Sequence, residues 1–209
     1  MASTYRWMEN CLALNALQDA RTAHLRSLKP HSHILMLGEG PGRLLEVLVH
    51  RMPSARFTVV DQSLGMLEQA ETAVNASEYD SERIRWVHGD ALNLELCEEP
   101  FDLVTTPFFL DCFTQDQLTR LIPWIAGNCS SGASWLLADF QIPNQAGWQR
   151  TRAKFIHRLM YFFFRCVTKI PAEKWTDPES LMIESGYRLQ ARTEFNFGLI
   201  RSDIWKREV

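Results

Sequence analysis

The 209-residue sequence contains no apolar run long enough to cross a bilayer and no long run of basic residues. Its most apolar segment, Leu159 to Val167, is interrupted by Arg165 and falls far short of the roughly 20 residues that a spanning helix needs. A net charge of −3 without a basic run argues against a nucleic-acid partner. The N-terminus lacks a basic stretch followed by an apolar core, so we expect no signal peptide. A peripheral membrane contact stays open, because basic residues cluster between Arg150 and Arg165.

Paired cysteines with metal or redox spacing are also missing. The five cysteines form no C-x-x-C pair, and no metal-ligand spacing links them to the six histidines. Scattered reduced thiols are typical of cytosolic proteins, so we expect a cytoplasmic location and no metal site. A chain of this length suits one domain spanning residues 1–209, which can bury about 70% of its unfolded surface.

The most informative segment is the one that begins at His33. An apolar run, Ile34–Leu37, predicts a buried strand and is followed by glycines at alternate positions, Gly38, Gly40 and Gly42. A helical pattern starts directly after them. Strand, glycine turn and helix in this order bring bare backbone close to a nucleotide-like ligand. Glycine is needed there because a Cβ atom would block the ligand and disfavour positive φ.

Asp61 ends a second strand-like run, where a carboxylate can accept hydrogen bonds from both hydroxyls of a ribose. Together the two segments resemble motifs I and II of the class I S-adenosylmethionine-dependent methyltransferases, and the resemblance extends over roughly Ser32 to Phe140. It implies S-adenosyl-L-methionine as cofactor. The family places an acid two residues before the first glycine, whereas this chain has Met36 there and an acid at Glu39. Either Glu39 holds the cofactor's ammonium group instead, or that end of the cofactor is bound differently.

The main rival is an NAD(P)-dependent oxidoreductase with the fingerprint G-x-G-x-x-G. The sixth position counted from Gly38 is Arg43 rather than a packing glycine. A carboxylate at Glu39 would also repel a pyrophosphate, by roughly 4 kcal/mol at about 4 Å and an effective dielectric near 20. A second rival is a non-catalytic binding module that retains the fold. Met36 at the acid position favours this hypothesis, and the carboxylate at Asp61 argues against it.

The resemblance also implies contacts farther along the chain. Asp90, after the third strand, would accept from the adenine amino group, and the backbone of Ala91 would contact the ring. Gln62 would shape the adenine pocket, and Thr105 and Thr106 would face the sulfonium end. The full expected cofactor set is Gly38, Glu39, Gly40, Gly42, Asp61, Gln62, Asp90, Ala91, Thr105 and Thr106.

No residue is marked as the catalytic base, and methyl transfer needs one only when the nucleophile must lose a proton early. Asp111 is the first candidate because it follows the fourth strand at the mouth of the expected site, and Asp139 at the end of the fifth strand is the second. His157 and Tyr161, four residues apart on one helix face, are weaker candidates.

The periodicity predicts an α/β protein with a mostly parallel sheet, an antiparallel edge strand and a C-terminal hairpin. The resemblance makes this a Rossmann-like, doubly wound, seven-stranded sheet with helices on both faces. Pro123 predicts a kink or break in its helix. Residues 1–30 are expected to form a helical lid and residues 141–185 a helical substrate cover. An apolar pocket under this cover is expected from four residues: Phe155, Leu159, Phe162 and Phe163.

These expectations combine into one functional prediction. The chain is expected to transfer a methyl group from S-adenosyl-L-methionine to a small molecule by in-line displacement. An apolar or aromatic acceptor is favoured, because Phe108 and Phe109 follow the fourth strand. The acceptor atom and the oligomeric state are not predicted.

Overall fold

The computed structural model describes residues 14–75, 81–96, 99–143, 147–167 and 175–208, without the side chains of Leu14, Ser81 and residues 159–167. Its sheet has seven strands, which lie in the order β3-β2-β1-β4-β5-β7-β6. The strands are β1 (His33–Leu37), β2 (Arg56–Asp61), β3 (Ile84–His88), β4 (Phe101–Pro107), β5 (Cys129–Phe140), β6 (Tyr187–Phe195) and β7 (Ile200–Arg207).

Strands β1 to β5 are parallel, and β7 pairs antiparallel with both β5 and β6. The predicted mostly parallel sheet with an antiparallel C-terminal hairpin is confirmed. The prediction that the antiparallel strand lies at the edge is wrong. The hairpin inserts its second strand, β7, beside β5, so β6 becomes the edge strand and runs parallel to β1–β5.

Six α-helices are described. They are α1 (Leu14–Thr22), α2 (Arg43–Arg51), α3 (Leu64–Asn75), α4 (Gln115–Gly127), α5 (Trp148–Val167) and α6 (Glu179–Glu184). Helix α4 begins with a capping box, in which Thr114 Oγ1 accepts from Gln117 N and the Gln117 side chain accepts from Thr114 N. Of the predicted kink or break at Pro123, the break is excluded, because α4 runs through this residue. Pro123 is exposed, so water can satisfy the carbonyl that loses its intrahelical donor.

Helices cover both faces of the sheet, as expected for a doubly wound fold. On one face, α2 packs on β1 and β2 through buried residues that include Leu44, Leu48 and Phe57. On the other face, α4 and α6 cover β4, β5 and β7. A third apolar cluster joins α1 and α5 to the carboxyl end of β5. None of the described helices is long and apolar enough to span a membrane.

Candidate active site

The turn between β1 and α2 has the glycine geometry that the sequence predicts. The φ angles of Gly38, Gly40 and Gly42 are 66°, 66° and 89°, in the left-handed region that glycine adopts without steric cost. A Cβ atom on Gly40 would have no heavy atom within 4 Å, so the backbone there faces open space. This is where a ligand can approach the main chain closely.

The other two glycines are needed for packing within the protein. A Cβ atom on Gly38 would lie 2.3 Å from Cδ2 of Phe109, and one on Gly42 would lie 2.9 Å from Cα of Ala70 in α3. Gly38 therefore lets Phe109 pack on the turn, and Gly42 lets α3 approach α2. Gly40 is the glycine whose open side fits a ligand.

Asp61, at the end of β2, is tied to this turn. Its Oδ2 accepts a hydrogen bond from Gly40 N at 3.2 Å, and its Oδ1 accepts from Ser63 N at 2.8 Å. Burial raises the pKa of Asp61, while the backbone donors oppose that shift. Gln62 N is a third backbone donor to this carboxylate, which has about four acceptor sites, so capacity remains to accept from a ligand hydroxyl.

Glu39 points into the protein and caps helix α2. Its Oε1 accepts from Leu44 N at 2.6 Å and from Leu45 N at 3.0 Å. Its side chain is 3% exposed, and Oε2 has no hydrogen-bond partner among the described residues. Burial raises the pKa of Glu39 to about 7, against the lowering effect of the two backbone donors.

This cap decides what else the N-terminus of α2 can bind. The first N–H groups of a helix are the usual site for a phosphate or carboxylate. Here a carboxylate of the same chain already accepts from two of them. A pyrophosphate would have to displace Glu39 or lie beside its buried oxygen. Met36, at the family's acid position, is fully buried in the core under α2.

The adenine-side candidates lie close to Asp61. Gly89 N donates to the carbonyl of Asp61, so the ends of β2 and β3 are adjacent. Asp90 Oδ1 accepts from Leu92 N at 3.0 Å and its Oδ2 accepts from Asn93 Nδ2 at 3.0 Å, which closes a turn. Ala91 is buried, whereas the side chain of Gln62 is exposed.

The two threonines of β4 point to opposite sides of the sheet. Thr106 Oγ1 accepts from Trp135 Nε1 at 2.9 Å within the core, so its hydroxyl has a structural partner. Thr105 Oγ1 is buried without a hydrogen-bond partner among the described residues. Of the two threonines, Thr105 is therefore the one whose hydroxyl can still form a hydrogen bond with a ligand.

Phe108, directly after β4, has an unusual backbone conformation. Its φ is 54°, which is uncommon for a residue with an aromatic side chain. Phe108 N donates to the carbonyl of Ala138 at 2.6 Å. The ring lies 5.2 Å from that of Phe140, and the guanidinium carbon of Arg21 lies 4.8 Å from its centroid. Strained residues often occur at functional sites, where surrounding contacts hold them in place.

Asp111, after β4, and Asp139, near the carboxyl end of β5, form a buried carboxyl pair. Asp111 N donates to Asp139 Oδ2 at 3.1 Å, and the two side chains are also hydrogen-bonded to each other. Burial raises the pKa of Asp111 to about 6. Burial and the neighbouring Asp111 raise that of Asp139, which Arg201 opposes. Such a pair holds one proton between two carboxylates.

The Cys112 thiol completes this cluster. Its Sγ donates to Asp111 Oδ1 at 3.5 Å, and burial raises the pKa of the thiol well above its usual value. The thiol therefore stays protonated and acts as a weak donor. The charge of Asp61 also raises the pKa of this thiol, so Asp61 and the acidic cluster interact electrostatically.

The weaker base candidates lie elsewhere. His157 is buried, its Nε2 donates to the carbonyl of Gln141 at 3.1 Å, and burial lowers its pKa. It connects α5 to the end of β5. The side chain of Tyr161 lies outside the described residues. Phe155 is 70% exposed, so the expectation that it lines a pocket is wrong; the other three expected lining residues, Leu159, Phe162 and Phe163, have undescribed side chains.

Two arginines at this site were not predicted from the sequence. Arg21 on α1 lies over Phe108 and its charge lowers the pKa of Glu39. Arg201 pairs in register with Asp139 and its Nη2 donates to Asp177 at 3.0 Å. Neither stands near a recognisable motif. Only the antiparallel register of β7 on β5 could have indicated Arg201.

Comparison with known proteins agrees with this geometry. Residues 34–132 match the family model described as "Methyltransferase domain". A curated ubiquinone/menaquinone biosynthesis C-methyltransferase, UbiE of Paracoccus denitrificans, is 30% identical over 110 residues, which cover 52% of this chain and 44% of UbiE. A trans-aconitate 2-methyltransferase of Paracidovorax citrulli is 42% identical over 52 residues, which cover 25% of this chain and 20% of that protein. The matches thus span less than half of each curated relative.

Solved structures share the fold at low identity. The mitomycin 7-O-methyltransferase MmcR superposes with a TM-score of 0.70 at 16% identity, over 99% of this chain and 58% of MmcR. The N-methyltransferase NodS of Bradyrhizobium japonicum WM9, solved with S-adenosyl-L-homocysteine, has a TM-score of 0.67 at 15% identity, over 94% of this chain and 87% of NodS. Over residues 34–132 the chain is thus similar to the methyltransferase family, and it shares the Rossmann-like seven-stranded fold of solved S-adenosylmethionine-dependent methyltransferases.

Proposed function

We propose that the protein transfers a methyl group from S-adenosyl-L-methionine to a small-molecule acceptor by in-line displacement. The observation that carries the proposal lies at the β1–α2 turn. The backbone at Gly40 is open and joined to Asp61, while Glu39 already fills the adjacent helix N-terminus. This arrangement fits a nucleoside that carries positive charge and no phosphate.

The described residues fit the cofactor in three ways. Gly40 leaves space beside its main chain, Asp61 has free lone pairs for ribose hydroxyls, and the hydroxyl of Thr105 has no partner of its own. We propose that these three residues contact the cofactor, with Asp90, Ala91 and Gln62 on the adenine side. The proposed role of Glu39 is to shape the turn; its buried Oε2 is the atom available to an ammonium group.

When bound, S-adenosyl-L-methionine supplies a methyl group that its sulfonium has already activated. The protein must hold the acceptor in line, which can contribute roughly 7–11 kcal/mol. We propose that Phe108 and Phe109 exclude water and bind an apolar or aromatic acceptor. Asp111, at 9% exposure the more accessible of the carboxyl pair, would take the proton that a hydroxyl or amine acceptor loses. A group with a pKa near 6 can accept this proton at neutral pH.

Helix α1 is proposed to act as part of a lid within residues 1–30. It packs on the carboxyl end of β5 and the amino end of β7 through Leu17 and Ala20, and it places Arg21 over Phe108. The described cysteines, Cys112 and Cys129, are free thiols, which supports a proposed location in the reducing cytoplasm. The names of the UbiE and MmcR proteins support a small-molecule acceptor for this chain.

The rival functions are less well supported. A dinucleotide would need the helix N-terminus that Glu39 occupies. A binding module without activity would gain nothing from a buried carboxyl pair at the strand ends, because removing carboxylates from water is costly.

Isothermal titration with S-adenosyl-L-homocysteine and, separately, with NADH tests the proposal. We expect saturable binding of S-adenosyl-L-homocysteine and no binding of NADH. Binding of NADH without a response to S-adenosyl-L-homocysteine would assign the chain to oxidoreductase chemistry.

A further inference from the structure

Three aromatic side chains are exposed together at the rim of the candidate site. Trp148 and Phe155 on α5 are 57% and 70% exposed, and Phe197 in the β6–β7 hairpin is 66% exposed. The rings of Trp148 and Phe197 lie 5.3 Å apart. Isolated exposed apolar residues are ordinary, but a cluster of three large aromatics on one surface marks a contact with something apolar.

The turn that carries Phe197 is held in place. Asn196 and Phe197 have φ angles of 51° and 58°. Arg152 on α5 donates to both the carbonyl and the side-chain oxygen of Asn196, at 3.2 and 2.9 Å. A strained conformation is normally compensated by burying the side chain, whereas the Phe197 ring remains in solvent apart from contacts with Trp148 and Arg152. The contacts between Arg152 and the turn thus hold the Phe197 ring in a solvent-exposed position.

Basic side chains adjoin the aromatic ones. Lys154 and Arg158, four residues apart on α5, are exposed, and Arg158 is a neighbour of Phe155 on the helix surface because it follows it by three residues. In the sequence, Phe162 continues the seven-residue spacing of Trp148 and Phe155, and Arg165 lies seven residues after Arg158. Glu194 is an acidic residue near the turn of this hairpin, and its Oε1 accepts from Gln141 Nε2 at 2.6 Å. We define the aromatic-basic surface as Trp148, Lys154, Phe155, Arg158 and Phe197.

The aromatic-basic surface lies at the same edge of the sheet as the candidate site. Ile200, at the end of the hairpin, pairs with Phe140, and Gln141 N donates to the carbonyl of Leu199. Beneath the surface an apolar cluster that includes Ala153, Ile156 and Phe140 extends to Phe108. An apolar layer therefore connects the exposed rings with the proposed acceptor site.

We infer that the aromatic-basic surface seats the protein on an anionic lipid bilayer. Aromatic rings insert at the level of the headgroups, and Lys and Arg side chains interact with anionic phosphates. The net charge of −3 opposes adsorption of the whole molecule, so binding must come from this local patch. Resting on the proposed function, the orientation places the acceptor site where lipophilic acceptors partition.

Co-sedimentation of the full-length protein with vesicles tests the inference. We expect binding to vesicles of phosphatidylcholine with phosphatidylglycerol, little binding to phosphatidylcholine alone, and release at raised salt. The paired charge reversal Lys154→Glu and Arg158→Glu should weaken binding by about tenfold or more. Ile183→Ser and Arg120→Glu, exposed positions on α6 and α4, are the matched controls and should leave it unchanged.

Phe197→Asn separates binding from folding. Asn tolerates the left-handed conformation better than Phe, so the variant should be at least as stable as the wild type in urea unfolding. Its binding to anionic vesicles should nevertheless fall. S-adenosyl-L-homocysteine affinity should not change, so a failure of the proposed function would be seen separately in that titration.

Two results would overturn the inference. One is no binding of the wild type to anionic vesicles. The other is binding that the charge reversals and Phe197→Asn leave intact. In the first case, concentration-dependent self-association that Phe197→Asn abolishes would assign the surface to a second copy of the chain.

Discussion

The backbone N–H of Asp111 donates a hydrogen bond to Oδ2 of Asp139 at 3.1 Å, which joins the segment after β4 to the end of β5. Phe140 N donates to the other oxygen of Asp139 at 3.0 Å. Two backbone donors thus orient one carboxylate, while the second carboxyl group lies against it. The geometry concentrates two acids where an acceptor is expected, and burial keeps a proton between them at mildly acidic pH.

The carboxyl pair should make folding stability depend on pH. The pKa of Asp111 rises from 3.8 to about 6 on folding, so the native state binds more protons than the unfolded chain within that window. Protonated Asp111 contributes its full stabilisation at pH values below the pKa that the group has in the unfolded chain. This stabilisation is lost as the pH rises through the pKa that the group has in the folded protein. Asp111→Asn should therefore gain stability relative to the wild type from about pH 4 to about pH 7, measured by urea unfolding. Asp116→Asn, at an exposed position, is the control; parallel curves for Asp111→Asn and wild type would contradict the raised pKa.

Glu39 should produce a similar effect at higher pH. Its pKa rises from 4.5 to about 7, so ionising this group destabilises the folded protein up to and beyond neutrality. At about 1.4 kcal/mol per pKa unit, the shift corresponds to roughly 3 kcal/mol. Glu39→Gln keeps an oxygen for Leu44 N and Leu45 N, and it should match or exceed the wild type in unfolding free energy at about pH 8.

Glu39→Ala is the comparison for this experiment. It removes the acceptor for both helix donors and should lose about 1–3 kcal/mol at every pH. If Glu39→Gln were as unstable as Glu39→Ala at alkaline pH, the buried carboxylate would not be the titrating group.

Gly40 and Gly42 should respond differently to alanine. Both have positive φ, which costs an alanine about 1–2 kcal/mol. At Gly42 the new Cβ would also lie 2.9 Å from Cα of Ala70, whereas at Gly40 it meets open space. Gly42→Ala should therefore lower the melting temperature more, and Gly40→Ala should weaken S-adenosyl-L-homocysteine binding more than its stability loss accounts for. Equal melting temperatures would show that α3 moves away from Gly42 without cost.

Thr105 and Thr106 offer another matched pair. Thr106→Val leaves the buried Trp135 Nε1 without an acceptor and should cost about 1–3 kcal/mol in unfolding free energy. Thr105→Val removes a hydroxyl that has no partner among the described residues, so stability should hardly change. A weaker affinity of Thr105→Val for S-adenosyl-L-homocysteine in calorimetry would support its proposed cofactor contact. Unchanged affinity would remove Thr105 from the cofactor set.

The sequence predicts the elements well where the apolar period is strong. The end of β2 at Asp61 is as predicted, because a polar residue follows an apolar run there. The position of β7 inside the sheet was missed, since strand order depends on how the hairpin docks rather than on its composition. Of the kink or break expected at Pro123, the structure excludes the break, because an exposed proline loses a bond that water can replace.

At the site, the sequence locates residues but not the direction in which they point. Alternate glycines predict the turn. Only the three-dimensional packing shows that Gly38 lies against Phe109, whereas Gly40 faces open space. The inward direction of Glu39 depends on the helix start that it caps. Arg21 reaches Phe108 from a distant part of the chain, a relationship that local spacing does not contain.

The most direct test of the account measures how Asp61 and the ribose depend on each other. Wild type and Asp61→Ala are titrated calorimetrically with S-adenosyl-L-homocysteine and with its 2′,3′-dideoxy analogue. We predict that the wild type binds the parent compound at least about tenfold more tightly than the analogue, and that Asp61→Ala binds both with the same low affinity. Equal affinities of the wild type for the two compounds, or an unchanged preference in Asp61→Ala, would contradict the claim that the carboxylate beside Gly40 holds the sugar.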